Sequence, residues 1–270
     1  MEDYTSIWTA MVDVPFEQGW LDAGGIRTRY AHAGQAGRPV VLMLHGTGGS
    51  WENFARNIGP RSRHFDCYSI DMVGCGYSDK PDEPYETNVY ARHARDFLDA
   101  IGTDKAHLMG CSLGGWVAAR LAVTWPKRVA SLIMVSAAGY LSNSANMSRI
   151  KSQRTKAVDE PTWDHVKQIF NSLIHDEKNR IPDIVALRQG IYRRPDMPAA
   201  MRHILCLQDP EVRARNVLSD EQWKSITVPA LVIGSLADQD TYLETARIVS
   251  RLMPDATCDE MAEVGHWPQF

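Results

Sequence analysis

The chain has 270 residues, of which 44% are hydrophobic and 23% are charged, and its formal net charge at pH 7 is -4. This length and apolar content fit one large domain that carries an insertion. No basic stripe indicates a nucleic-acid partner. No apolar run reaches the roughly 18 residues that a membrane span requires. We therefore expect a protein that binds neither nucleic acid nor membrane.

The first residues and the cysteines predict a cellular compartment. Glu2 and Asp3 stand where a secretory signal would carry basic residues. The five cysteines are scattered and show no C-x-x-C spacing, which argues against both a disulfide framework and a zinc site. A reducing cytoplasm is the expected location.

Short apolar runs alternate with helical stretches in the first half of the chain. The runs typical of buried strands are 40–44, 64–70, 106–109 and 129–135, and the helical stretches are 88–101 and 113–125. Strands that alternate with helices in this way form a mostly parallel sheet with helices on both faces. The sequence therefore predicts an α/β fold.

This alternation stops after residue 139 and resumes near residue 230. Residues 140–224 contain no convincing strand, whereas 230–234 and 256–264 are predicted strands on either side of a helix at 243–252. We interpret residues 1–139 and 225–270 as the α/β core, and residues 140–224 as a helical cap inserted between them.

Residues 110–114 (GCSLG) fit the pattern G-x-S-x-G and lie between a predicted strand and a predicted helix. A serine on such a sharp turn needs small neighbours, and the start of the helix favours negative charge that develops next to it. Ser112 is therefore the candidate nucleophile. The alternative is a glycine–serine turn that only packs the helix on the sheet.

A serine hydroxyl needs a base, and in this arrangement the chain order is nucleophile, acid, histidine. Of nine histidines, only His266 follows the last predicted strand, so it is the candidate base; otherwise it is a surface or capping residue. The acid should follow the strand at 230–234. Both Asp238 and Asp240 lie there, and the position favours Asp238.

Residues 45–49 (HGTGG) follow the first buried strand and predict an oxyanion loop. The backbone N–H groups of Thr47 and Leu113 are the expected oxyanion donors. His45 is expected to orient this loop, and Gly46 and Gly48 to lie against the substrate. A phosphate-binding loop is the alternative, but the sequence has neither G-x-G-x-x-G nor a Walker lysine.

Together these residues resemble the α/β-hydrolase superfamily, whose D-x-x-G-x-G-x-S turn is matched at 71–78. Within it, three segments are most similar to the meta-cleavage product hydrolases, which cleave a carbon–carbon bond in 2-hydroxy-6-oxo-dienoates. The similar segments are 265–269 (GHWPQ), 112–116 (SLGGW) with alanines at 118 and 119, and 187–189 (LRQ) with a proline at 195.

The resemblance implies an α/β-hydrolase fold with a helical cap and a small-molecule substrate that carries a carboxylate. It implies that Trp267 lines the site, that Arg188 holds the dienoate carboxylate, and that Asn53 contacts the enol or carboxylate oxygens. A solvated cap arginine is the alternative for Arg188. The family works without a metal or organic cofactor and commonly forms homodimers.

The sequence also departs from that family. Its oxyanion loop is shorter, Cys111 replaces the usual asparagine, Tyr242 replaces a proline, and the sequence stops at Phe270 where the family continues into a helix. The short loop and Cys111 favour an ordinary carboxylesterase or lactonase with the same triad. A ligand-binding receptor built on this fold, with slow or no turnover, is a further alternative.

Overall fold

The computed structural model describes residues 5–238 and 240–270. The strands found in this part of the chain are β1 (Glu17–Ala23), β2 (Ile26–Ala33), β3 (Val40–Leu44), β4 (Asp66–Ile70), β5 (Ala106–Cys111), β6 (Val129–Val135), β7 (Ala230–Ser235) and β8 (Ala256–Met261). The α-helices are α1 (Ala55–Ser62), α2 (Thr87–Ala100), α3 (Leu113–Thr124), α4 (Ser144–Asp159), α5 (Trp163–Leu173), α6 (Pro182–Tyr192), α7 (Met197–Ile204), α8 (Pro210–Asn216), α9 (Asp220–Lys224) and α10 (Tyr242–Leu252).

The strands form one sheet in the order β1-β2-β4-β3-β5-β6-β7-β8. The six strands from β3 to β8 run parallel, and β2 pairs antiparallel with both β1 and β4. All five residues of β3 are buried, as expected for a strand covered by helices on both faces. The predicted α/β fold with a mostly parallel sheet is confirmed.

The sequence did not predict β1 and β2. Strand β1 (EQGWLDA) is the edge of the sheet, and most of its residues are exposed or half-buried. Such a strand lacks the continuous apolar run that marks the central strands, and its antiparallel partner lies outside the strand–helix alternation.

Helices α4 to α9 lie between β6 and β7 and form the helical insertion. Residues with known preferences for helix starts begin three of these helices. Thr162 caps α5 by accepting a hydrogen bond from the His165 N–H, and Pro182 and Pro210 lie in the first turns of α6 and α8. Helix α4 contacts both α5 and α7. Among the described residues, no helix is both long and apolar enough to cross a bilayer.

The turn after β4 is organised by Asp71, which is fully buried. Its carboxylate accepts hydrogen bonds from the backbone N–H groups of Trp51 and Tyr77, both at 2.8 Å, and from Arg29 Nε at 2.7 Å. Arg29 also pairs with Glu52 at 2.9 Å. This network holds the segment that follows the predicted oxyanion loop against the end of β4.

Replacing Asp71 with alanine should lower the free energy of unfolding by about 3–5 kcal/mol, because the N–H groups of Trp51 and Tyr77 lose their acceptor and Arg29 loses one of its two carboxylate partners. Urea denaturation measures this change. Asp79→Ala is the control, since its exposed carboxylate accepts one hydrogen bond from the Arg27 N–H. If the two variants lost similar stability, the buried network would not be what holds this turn.

Candidate active site

Ser112 lies on the sharp turn between β5 and α3, with φ 54° and ψ -115°. A positive φ is strained for a residue other than glycine. A Cβ added to Gly110 would lie 2.2 Å from the Gly114 carbonyl oxygen, and one added to Gly114 would lie 1.9 Å from the Leu44 carbonyl oxygen. The two glycines of the motif therefore allow α3 to approach the sheet closely enough to support the turn.

The predicted oxyanion donors lie beside this serine. Thr47, Ser112 and Leu113 line one cavity, and Leu113 is the first residue of α3, so its N–H has no acceptor within the helix. A Cβ on Gly46 would lie 3.3 Å from Ser112 Cβ, so a larger residue there would crowd the nucleophile. The arrangement suits an oxyanion formed next to Ser112.

His45 is fully buried and holds the oxyanion loop in place. Its Nδ1–H donates to the Gly46 carbonyl at 2.7 Å, and its Nε2 accepts from the Met72 N–H at 3.0 Å. Burial lowers the pKa of His45 to about 4. The ring is therefore neutral near pH 7 and its two nitrogens are both engaged, which fits an orienting role.

His266 pairs with Asp238. The distance from His266 Nδ1 to Asp238 Oδ2 is 2.7 Å, and both side chains are more than nine-tenths buried. His266 lines the same cavity as Ser112, and the ring of Tyr242 lies 4.2 Å from the imidazole, centroid to centroid. The structure thus brings together the three predicted triad residues.

Asp240, the alternative acid, lies in the same turn, but Asp238 is the carboxylate that accepts the hydrogen bond from His266 Nδ1. The oxygens of Asp240 are shielded from solvent, and burial together with the nearby Asp238 charge raises its pKa. The Asp240 carboxylate lines a cavity together with Ser112. The imidazole Nδ1 of His266 is hydrogen-bonded to Asp238.

Ser112 and His266 line one cavity. Its walls include Trp267 and residues of the insertion helices α4 and α5. Trp267 is 6% exposed, and its ring lies 5.7 Å from that of Phe170 on α5. The insertion thus encloses the space above the nucleophile, and Trp267 lies where the sequence places it.

Arg188 is 3% exposed, so the alternative of a solvated cap arginine is wrong. It donates to Asn53 Oδ1 at 3.4 Å and to the Tyr192 hydroxyl at 3.3 Å, and that hydroxyl donates to the Gly48 carbonyl at 3.4 Å. Arg188 and Asn53 line a second, small cavity, which Glu52 also lines. The structure therefore places Arg188, Asn53 and Gly48 together behind the oxyanion loop.

Residues 39–270 match the family model described as alpha/beta hydrolase fold. The chain belongs to the α/β-hydrolase family. It is 30% identical over 260 residues to the 2-hydroxy-6-oxo-6-phenylhexa-2,4-dienoate hydrolase of Burkholderia cepacia, covering 93% of this chain and 89% of that one. It is 26% identical over 260 residues to Lipase 1 of Psychrobacter immobilis, covering 91% and 77%.

The solved structure of the 2-hydroxy-6-oxo-6-phenylhexa-2,4-dienoate hydrolase of Rhodococcus has the same fold as this α/β-hydrolase, with a TM-score of 0.83 at 20% sequence identity. The match covers 95% of this chain and 94% of that one. The predicted resemblance to the meta-cleavage product hydrolases is therefore confirmed, while lipases and lactonases are also among the similar proteins.

No sequence motif indicated Tyr192 and Arg154, two polar residues of this α/β-hydrolase site. Tyr192 reaches the oxyanion loop through Gly48, and Arg154 of α4 lines the Ser112 cavity. Both lie in the insertion, where the packing of helices decides which side chains face the cavity.

Proposed function

We propose that this chain is a serine hydrolase that cleaves the carbon–carbon bond next to the ketone of 2-hydroxy-6-oxo-dienoates. The family and the similar dienoate hydrolases support the reaction class. The geometry of the site supports the roles that we propose for individual residues.

In the proposed reaction the bound dienol first becomes the keto tautomer, as the 2-hydroxyl loses a proton and C5 gains one. Ser112 then attacks the C6 carbonyl, and His266 takes the hydroxyl proton while Asp238 holds the imidazole in the correct tautomer. The N–H groups of Thr47 and Leu113 stabilise the oxyanion.

When the oxyanion collapses, the bond between C5 and C6 breaks. C6 remains on Ser112 as an acyl group, and the other fragment leaves as a dienolate. Protonated His266 returns its proton to this dienolate, which becomes the 2-hydroxydienoate, and His266 is again a free base. Water, deprotonated by His266, then releases the acyl group as a carboxylic acid. The enclosed cavity limits competing access of bulk water during these steps.

The observation that carries this proposal is the buried cation behind the oxyanion loop. Arg188 has long hydrogen bonds to neutral partners, and Asn53 Nδ2 is buried without a hydrogen-bond partner among the described residues. The Glu52 carboxylate lines the same cavity but is paired with Arg29 at 2.9 Å. A buried charge and an unused donor are costly unless a ligand satisfies them. A planar carboxylate with an adjacent enol oxygen matches both groups.

Arg188→Met should lower kcat/KM for a dienoate by about 10- to 150-fold, the range expected for hydrogen bonds to a charged group, mainly by raising KM. Turnover of the neutral ester p-nitrophenyl butyrate should change by less than about threefold, because this ester carries no carboxylate. Steady-state kinetics on both substrates make the comparison.

Arg193→Met is the matched control, since this arginine is exposed at the end of the same helix. It should leave both activities unchanged. Equal losses on the dienoate and the ester in Arg188→Met would mean that Arg188 supports the oxyanion loop and does not bind a carboxylate.

A carboxylesterase or lactonase is the second candidate. The observation that favours it is Cys111, whose buried thiol lies 3.9 Å from the His266 carbonyl and offers the substrate no amide donor. Arg188 also lines a cavity separate from the one that contains Ser112. In that case p-nitrophenyl esters would be hydrolysed quickly and dienoates would remain intact.

A further inference from the structure

A second buried arginine faces the catalytic cavity. Arg154 of α4 is 4% exposed and lines the cavity together with Ser112, His266 and Trp267. Its Nη1 donates to Gln153 Oε1 at 2.9 Å, and its Nε is buried without a partner among the described residues. A guanidinium in this setting lacks the counter-ion that buried charges normally have.

Two neighbouring positive charges favour the binding of an anion at Arg154. Burial, together with the positive charges of Arg188 and Arg149, lowers the pKa of Arg154 to about 10, while Tyr192 and Tyr242 act in the opposite direction. Even so, it remains charged near pH 7. The surroundings of this guanidinium therefore contain more positive charge than negative charge.

The one carboxylate among the residues that line this cavity already has a partner. Asp238 lies 2.7 Å from His266 Nδ1 and is hydrogen-bonded to the imidazole, so it is not a partner for Arg154. Arg149, on the same helix as Arg154, also lines the cavity. The wall that α4 contributes is thus cationic.

We propose that Arg154, assisted by Arg149, binds a carboxylate on the acyl fragment of the substrate. This deepens the proposed function, on which it rests: the preferred dienoate is a dicarboxylate. One carboxylate lies at Arg188 in the smaller cavity, and the other lies at Arg154 in the cavity of Ser112. The two arginines line different cavities, so one substrate carboxylate is assigned to each.

The test compares two esters that differ in charge at the end of the acyl chain. Mono-p-nitrophenyl adipate places a carboxylate where p-nitrophenyl hexanoate has a methyl group. Arg154→Met should lower kcat/KM for the adipate ester by about 10- to 150-fold and for the hexanoate by less than about threefold. Arg154→Lys should restore part of the difference, because it keeps the charge but loses the planar fork.

Lys151→Met is the control, since this lysine is exposed on the same helix. It should leave both esters unchanged. If Arg154→Met slowed both esters equally, or neither of them, Arg154 would be a structural residue and the proposed subsite would be overturned.

A measurement on the unaltered enzyme covers the case in which Arg154→Met does not fold. Adipate should inhibit hexanoate-ester hydrolysis at a concentration at least about tenfold lower than hexanoate does, the gain expected from one charged hydrogen-bonded contact. Equal inhibition by the two acids would overturn the proposal.

Comparing the esters with the dienoates distinguishes a failure of the Arg154 subsite from a failure of the proposed carbon–carbon cleavage. Loss of adipate selectivity in Arg154→Met, with dienoates untouched by every variant, would support the subsite and reject carbon–carbon cleavage. Dienoate turnover by the unaltered enzyme without any adipate selectivity would reject the subsite and support carbon–carbon cleavage.

Discussion

Ser112→Ala is expected to lower kcat by about three to six orders of magnitude on any substrate that the enzyme hydrolyses. Ser112 stands on the strained turn at the start of α3, beside the predicted oxyanion donors and in the same cavity as His266. Removing its hydroxyl removes the attacking atom while the rest of the cavity stays in place. Substrate binding should therefore be largely kept.

Steady-state hydrolysis of p-nitrophenyl butyrate measures the loss, and equilibrium binding of a slow substrate checks that the cavity is intact. Ser142→Ala is the control, because Ser142 lines the cavity that Ser112 shares with Thr47 and Leu113 but is exposed and outside the predicted triad. It should retain activity within about threefold. Comparable activity in Ser112→Ala and the unaltered enzyme would remove Ser112 from the mechanism.

Asp238→Asn is expected to lower kcat by about 10⁴-fold, the scale seen when the acid of a serine triad is replaced by its amide. Asp238 accepts the Nδ1–H of His266 at 2.7 Å, and this bond leaves Nε2 unprotonated and able to accept the serine proton. An asparagine amide can donate to Nδ1 and favour the tautomer that cannot act as the base.

Asp240→Asn is the matched control in the same turn. This carboxylate is shielded from solvent, and its pKa is raised by burial and by Asp238, so a neutral amide is tolerated there. We expect kcat to change by less than about tenfold, a loss far smaller than that of the triad variant. The reverse order of effects, measured on the same ester, would make Asp240 the orienting acid.

The central strands and the serine turn could be predicted because each depends on local chemistry. The five residues of β3 form an apolar run that is typical of a strand covered by helices on both faces. The glycines around Ser112 are required because α3 approaches the sheet closely. Chain order then selected His266 from nine histidines. These features need no knowledge of distant packing.

The edge strands and the orientation of the cap side chains could not be predicted, because they depend on packing between distant parts of the chain. Strand β1 is too polar to resemble the buried strands. In α4, Arg154 lies on the buried face with Met147, Ala157 and Val158, a position that hydrophobic periodicity assigns to an apolar residue. Which of the cap arginines faces the cavity depends on how α4, α5 and α6 pack.

The measurement that tests the central claim most directly is product analysis with two dienoates, 2-hydroxy-6-oxo-6-phenylhexa-2,4-dienoate and 2-hydroxy-6-oxonona-2,4-dienedioate. We predict that the enzyme releases equal amounts of 2-hydroxypenta-2,4-dienoate and of the matching acid, benzoate or succinate, and that Ser112→Ala releases neither. If both dienoates stayed intact while p-nitrophenyl esters were hydrolysed by Ser112, carbon–carbon cleavage would be contradicted and the enzyme would be an esterase or lactonase with the same triad.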